Sequence, residues 1–287
     1  MTSHAMVDMV RHLFKIKKVG HFGTLDPLAE GLLLLGMGNA TKFFDFYIKK
    51  RKVYSGSISF GYSTTTYDTE GEPTSEEQAI DLNSINIEAL LATFRGKQLQ
   101  TPPIYSAKKF KGKPLYKYAR QNQEVEVKPV TIEIFSLTGH IIDEKTLGFR
   151  AETSSGTYIR SLAYDMGQKL GVGAHLQKLK RESVGEFHLD AAFTPVQLAQ
   201  RLEAEGISSV VTPIEALLPE FPKIIVNPSG KKAILNGMHL MPRDVTKIMP
   251  GQSNDYFRLF DDEGKLLAIA QKDAVLMRFK PTLVFSN

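Results

Sequence analysis

The sequence predicts an α+β fold: a mixed, largely antiparallel central sheet flanked by helices, with a small β-rich module at its C-terminal end. Three observations carry this reading. Several segments repeat apolar residues at helical spacing, and several others alternate at period two. The alternating segments meet at short polar turns rather than at helical crossovers, which favours antiparallel neighbours. A proline-flanked "LLPEFPK", residues 217 to 223, then separates a last stretch rich in short strands. With 287 residues there is room for a large domain and a small one, placed here at 1–218 and 222–287.

Met6, Met9, Val10, Leu13 and Phe14 form a helical stripe that Thr2 or Ser3 can cap. Asp8 and Arg11 interrupt it, so it is no signal sequence. A glycine-rich segment follows, then a helix over "ATKFFDFYIKK". "RKVYSGSISFGY" reads as a strand with Tyr54, Ile58 and Phe60 on one face, and the polar "TTTYDTEGEPTSEE" as a loop. Ile87, Leu90, Leu91 and Phe94 mark a helix. "VTIEIFSLTGHI" and "LGFRAETSS" are strands that meet near "DEKT".

The next helix has Thr157 as its cap, Ile159, Leu162, Ala163, Met166 and Leu170 as its apolar stripe, and Gly171 as its stop. "HLQKLKRESVGEF" is a further strand. Thr194 caps a helix that opens on Pro195. "YFRLFDDEGKLLAIAQ" gives two strands around an Asp-Glu-Gly turn.

Composition narrows the function. There is no cysteine, which excludes disulfides and thiolate metal sites and fits a reducing, cytoplasmic setting. The seven histidines show no H-x-x-x-H pair, so no metal is expected. The longest apolar run, "LLLLG", is too short to span a bilayer. Net charge is +5. Its distribution says more: within residues 101–120, Lys108, Lys109, Lys111, Lys113, Lys117 and Arg120 occur with no acid, among Tyr105, Phe110, Tyr116 and Tyr118. Cations neutralise phosphates and aromatics stack on unpaired bases, so RNA is one reading. A solvated basic loop is the other.

"GHFGTLDPLAEG", residues 20 to 31, sets Asp26 before Pro27 at the lip of the apolar run. Taken alone, Leu-Asp-Pro is turn chemistry, with Asp accepting backbone N–H groups and Pro fixing the next φ. "GMGNAT" offers two glycines but lacks the lysine of a phosphate loop.

Taken together, "GHFGTLDPLAEGLL" through "GNATKF", "KVYSGSISFG", "QTPPIYSAKKFKGKPLYKYAR", "SSGTYIRSLAYDMGQKLG" and "GAHLQKLKRESVGEF" occur in an order that resembles the TruB-type tRNA pseudouridine synthases of bacteria. The resemblance spans about residues 20 to 190, and more weakly a PUA-like RNA-binding module from about 222. It implies cofactor-free isomerisation of a uridine in the TΨC arm (position 55), by a monomer without an obligate protein partner. By position in the family's motifs, Asp26 is the nucleophile, Arg160 its partner, and Tyr54 the ring that stacks on the flipped base. Tyr158 and Leu179 fall where the uridine pocket is lined, and His21 beside the target nucleotide. The 101–120 segment would line the T-arm, with Lys180 and Arg181 where the family usually shows Arg-Arg.

Some positions depart from the family. A Lys-Pro-x-Gly strand normally precedes Thr-Ser, whereas Met1 stands before Thr2-Ser3, so a late start or a truncation is expected. Thr65 replaces an acid in "TTTYD" while Asp68 stays, and Phe22 replaces a threonine. Two further readings stand beside the isomerase. One is a non-catalytic RNA-binding or RNA-folding protein. The other is the catalytic subunit of a guide-RNA complex acting on ribosomal RNA.

Overall fold

The computed structural model describes residues 1–106, 109–110, 112–119, 121, 123, 125–273 and 278–285. By its internal contacts the chain forms two compact units, Met1–Gly36 with Phe43–Ala192, and Met37–Lys42 with Phe193–Asn287.

The first unit opens with α1 (Ser3–Phe14), capped by Thr2, whose hydroxyl accepts from the Ala5 N–H at 3.2 Å. Two short strands follow, β1 (Val19–His21) and β2 (Ala29–Gly31), then β3 (Leu35–Met37). The helix expected over residues 40–50 is shorter than its apolar content suggested. A 3₁₀ turn at Gly38–Phe43 leads into a single α-turn, α2 (Phe44–Tyr47). Lys52 ends this segment physically: its buried ammonium donates to the carbonyls of Ile48 and Lys50, where the chain turns into the sheet.

The sheet is built from β4 (Lys52–Phe60), β5 (Gly96–Gln100), β8 (Val130–Asp143), β9 (Thr146–Thr153), β10 (Ala174–Val184) and β11 (Phe187–His188), in the order β11-β10-β4-β9-β8-β5. Its neighbours are antiparallel throughout, and the β8–β9 hairpin turns where "DEKT" was read. One parallel partner makes the sheet mixed: β2 joins β10 with Leu179 opposite Ala29 and Arg181 opposite Gly31. The short strands β6 (Lys109–Phe110) and β7 (Lys113–Pro114) pair with each other ahead of α4 (Leu115–Ala119).

Alternation along β4 puts Ile58 and Phe60 into the core, with Tyr54 packed on the same face. They meet Ile134, Leu137, Leu147 and Ala151 of the hairpin, and Leu91 of α3 (Ile87–Ala92). Helix α5 (Ile159–Leu170) covers this face with the stripe Ile159, Leu162, Ala163 and Met166. Each such side chain contributes about 1.5–3 kcal/mol by leaving water. Gly167 lets α5 return tightly into β10, since a Cβ there would lie 2.1 Å from the Ala174 nitrogen.

Thr157 does not cap α5. The cap position is Tyr158, with no side-chain cap bond of its own. Gln100, from β5, replaces it: Gln100 Oε1 accepts from the Tyr158 N–H at 2.8 Å, and Gln100 Nε2 donates to the Tyr158 carbonyl at 3.0 Å. Gly171 ends the helix with positive φ, as its position predicts.

The second unit contains α6 (Pro195–Glu205), closed by a Thr194–Gln197 capping box, and a five-stranded sheet. Its strands are β12 (Lys223–Val226), β13 (Val245–Met249), β14 (Phe257–Phe260), β15 (Leu266–Asp273) and β16 (Arg278–Val284), in the order β13-β12-β14-β15-β16. The β14–β15 hairpin turns at the Asp-Glu-Gly sequence, and α7 (Pro228–Leu235) packs Ile234 against the buried face. Among the described residues no helix is long and apolar enough to cross a membrane.

Candidate active site

Asp26 is both a turn residue and something more. Its carbonyl accepts from the Ala29 N–H at 2.9 Å, closing a tight turn over Pro27 and Leu28 that feeds directly into β2. The turn is braced from α1, where the Ser3 hydroxyl accepts from the Leu25 N–H at 3.0 Å. The Asp26 side chain points elsewhere, toward the first turn of α5. There Arg160 Nε donates to Asp26 Oδ2 at 2.8 Å. The guanidinium side is buried and the carboxylate keeps a third of its surface open. One acid face therefore stays available to a reactant while the other is fixed.

Every nitrogen of Arg160 is used. Nη1 donates to the Thr66 carbonyl at 3.2 Å and lies 3.4 Å from Asp68 Oδ2, and Nη2 donates to the Tyr105 carbonyl at 2.9 Å. Asp68 is buried and held in turn by the Thr66 hydroxyl and the Glu70 N–H. The cation thus sits between two carboxylates, one sealed and one open. A buried guanidinium needs such saturation, because an unpaired charge away from water is very costly.

Tyr54 is half-buried on β4, directly opposite Arg181 of β10. Burial pushes its phenol above the usual tyrosine range, and nearby Asp26 adds to the rise while Arg181 opposes it. Such a phenol stays neutral and suits ring stacking better than proton abstraction. Leu179, two residues before Arg181, lies buried opposite Gly56 and Ala29. Tyr158 opens α5 beside Arg160, with its phenol raised chiefly by burial. His21 is half-buried, with its Nδ1 buried and unbonded among the described residues. Burial, then Arg181 and His4, lower its pKa, so the ring is neutral at neutral pH.

The structure brings Asp26, Arg160, Tyr54 and Tyr158 into one electrostatic neighbourhood, the sealed Asp68 among them. Sequence reasoning noted Asp68 only as a retained acid. An acid two residues past a Thr-rich turn was the available signal, and its partner lies in α5. Phe22 takes no part in this cluster: it is buried and stacks on Tyr47, ring centroids 5.4 Å apart.

The basic residues divide. Lys108, Lys111 and Arg120 lie outside the described residues, and only the backbone of Lys109 is described, in β6. Lys113 is exposed on β7. Two aromatics of this segment pack on each other, Phe110 against the edge of Tyr118 at 5.9 Å. Lys180 is exposed on β10. Arg181 corrects the expectation of an RNA-contacting pair. It is 1% exposed, and its guanidinium is spent on the backbone carbonyls of Leu32, Gly23 and Thr24. Adjacent strand residues point to opposite faces, so Lys180 and Arg181 cannot serve one surface together. Among the described residues no group of three metal-ligating side chains occurs.

Comparison with known proteins gives the family and the fold. A family model described as TruB family pseudouridylate synthase (N terminal domain) matches residues 11–159. One described as tRNA pseudouridylate synthase B C-terminal domain matches residues 160–219. The tRNA pseudouridine synthase B of Solibacter usitatus is 42% identical over 270 residues, spanning 94% of this chain and 91% of that protein. The protein of the same name from Bacillus subtilis is 40% identical over 277 residues, spanning 94% and 88%. Among solved structures, a chain of a Cbf5-Nop10-Gar1 complex superposes with a TM-score of 0.74 at 23% identity, covering 100% of this chain and 80% of that one. A chain of an H/ACA RNP bound to a substrate RNA containing 2'-deoxyuridine gives 0.74 at 21%, covering 100% and 82%. At such identities the two structures establish the shared fold.

Proposed function

Since this chain belongs to the TruB family of pseudouridylate synthases, we propose that it isomerises a uridine in the TΨC arm of tRNA, at position 55, to pseudouridine. The observation that carries the reading is the Asp26–Arg160 pair, fixed on its buried side and open on the other. The uridine leaves its stack, at a cost of a few kcal/mol that pocket contacts offset. Tyr54 stacks on the flipped ring, and Tyr158 and Leu179 line its pocket. Asp26 attacks as a nucleophile, and the bond it forms with the substrate breaks again before the product leaves, which restores the free carboxylate. The N1–C1′ bond breaks, the base turns, and C5 bonds to C1′. The C5 proton then leaves and N1 gains one, so substrate and product have the same atoms and no cofactor is required. Arg160 holds the carboxylate in line during both bond changes.

The reading extends to the rest of the chain. Residues 1–218 carry catalysis, and 222–287, which contain the β12–β16 sheet, form a PUA-like RNA-binding module. Lys113 and its basic neighbours in 101–120 follow the T-arm phosphates. The chain works as a cytoplasmic monomer without a guide RNA or protein partner. Its 42% and 40% identity to proteins named for tRNA favours this over a guide-RNA subunit, for which only the fold speaks.

Tritium release from a T-arm stem-loop carrying C5-labelled uridine tests the proposal. The chain alone should release tritium. Asp26→Asn should bind the stem-loop and release none. Turnover by Asp26→Asn equal to that of the unsubstituted chain would remove Asp26 from the chemistry.

A further inference from the structure

Arg181 is the largest fully buried side chain of the molecule's described residues, and the reaction outlined above gives it no task. No ion pair of Arg181 is found among the described residues. Instead Nε donates to the Leu32 carbonyl at 2.8 Å, Nη2 to Gly23 at 3.0 Å and Nη1 to Thr24 at 3.4 Å. Those carbonyls lie on both sides of Asp26. The Arg181 carbonyl itself accepts from the Leu32 N–H at 2.8 Å. Across the sheet, Arg181 stands opposite Tyr54 on one side and Gly31 on the other.

Two glycines of "GHFGTLDPLAEG" fit this device. Gly31 has φ +100°, and a Cβ there would lie 2.4 Å from the Arg181 carbonyl oxygen. Gly23 has φ +130°, and its Cβ would lie 3.5 Å from Nη1. Gly31 thus lets the far arm of the segment run tight against the backbone of residue 181, while the guanidinium reaches the carbonyls of both arms. A second cation, Lys52, is buried nearby, its pKa lowered to about 8 by burial and by Arg181. Burying a charge against neutral groups, three carbonyls and the Tyr54 phenol, is an expensive way to hold a loop, and an apolar side chain of similar volume would be cheaper. The guanidinium offers what an apolar group cannot: a planar fork that fixes three carbonyls at once.

We propose that Arg181 is a positioning residue that clamps both arms of the Asp26 loop and sets them against Tyr54, so that nucleophile and stacking ring form one rigid frame. It acts through the loop and does not touch RNA. The proposal rests on the isomerase reading for its kinetic consequence, and on geometry alone for its structural one.

Full-length Arg181→Lys and Arg181→Met are compared with the unsubstituted chain. Hydrogen exchange at the Phe22, Ala29 and Leu32 amides should speed up at least about tenfold, while amides of the β8–β9 hairpin keep their protection. Single-turnover tritium release from the stem-loop should fall about 100-fold, the cost of a loop displaced by about 1 Å. Stem-loop affinity should stay within about threefold, with an unchanged salt slope, since no phosphate contact is lost. Lysine should not rescue, because one ammonium cannot reach three diverging carbonyls. If Arg181→Met does not fold, the lysine variant, which keeps the charge, decides the matter. Unchanged loop exchange, or release by Arg181→Lys at the unsubstituted rate, overturns the proposal. So does weaker binding with a shallower salt slope, which would make Arg181 a phosphate contact. If the unsubstituted chain releases no tritium, the isomerase reading fails, and the exchange measurement still judges the clamp.

Discussion

Asp68→Asn isolates the sealed half of the carboxylate–guanidinium–carboxylate array. Asp68 Oδ2 lies 3.4 Å from Arg160 Nη1, with side chains 3% and 5% exposed. At an effective dielectric constant of about 20, unit charges at that separation attract by about 5 kcal/mol. Asparagine has a single side-chain oxygen, which can stay with the Thr66 hydroxyl and the Glu70 N–H on the Oδ1 side, while its amide nitrogen then faces Arg160 Nη1, so those two hydrogen bonds survive and the attraction to Arg160 is lost. The net destabilisation should be about 2–3 kcal/mol, as for a hydrogen bond to a charged group. The kinetic effect is larger. Arg160 is left with a single anion, Asp26, and is drawn toward it; a shift of about 1 Å costs about 100-fold in rate. Single-turnover tritium release should therefore fall about 100-fold, while stem-loop affinity, measured by filter binding, stays within about threefold. A rate within about threefold of the unsubstituted chain would refute the reasoning, as would an affinity loss as large as the rate loss.

Two further predictions concern stability. Burial raises the Asp165 pKa to about 6, above its unfolded value of about 3.9, so the native state holds this proton more tightly and stability falls as pH rises from about 4 to about 6. Asp165→Asn should thus melt like the unsubstituted chain near pH 4 and gain about 1 kcal/mol near pH 7.5, allowing for partial solvent screening; an equal gain at both pH values would contradict it. Gly56→Ala places a Cβ 1.9 Å from the Lys178 carbonyl oxygen between β4 and β10, so its melting temperature should drop by the equivalent of about 3 kcal/mol, and an unchanged melt would show that the two strands do not approach this closely.

Much of this molecule was legible along the chain. The β8–β9 and β14–β15 hairpins, the α5 stripe and the Thr194 cap follow from local periodicity and turn chemistry, which act within a few residues. The Thr157 cap failed for a complementary reason. Gln100 supplies the bonds from 58 residues away, and no local signal reports such a partner. Arg181 shows the same limit in electrostatics. Sequence counts a cation, whereas the strand's alternation and the carbonyls of residues 23, 24 and 32 decide whether it meets solvent.

The sequence by itself determined the kinds of element, the Asp26 turn and the family to which the chain belongs. Tertiary structure alone decided which acids share Arg160, which face of β10 is buried, and how the Asp26 loop is held. The difference is physical. Backbone preferences and hydrophobic period are set by neighbours in the chain, but a charge takes its character from whatever the fold places within a few ångströms of it.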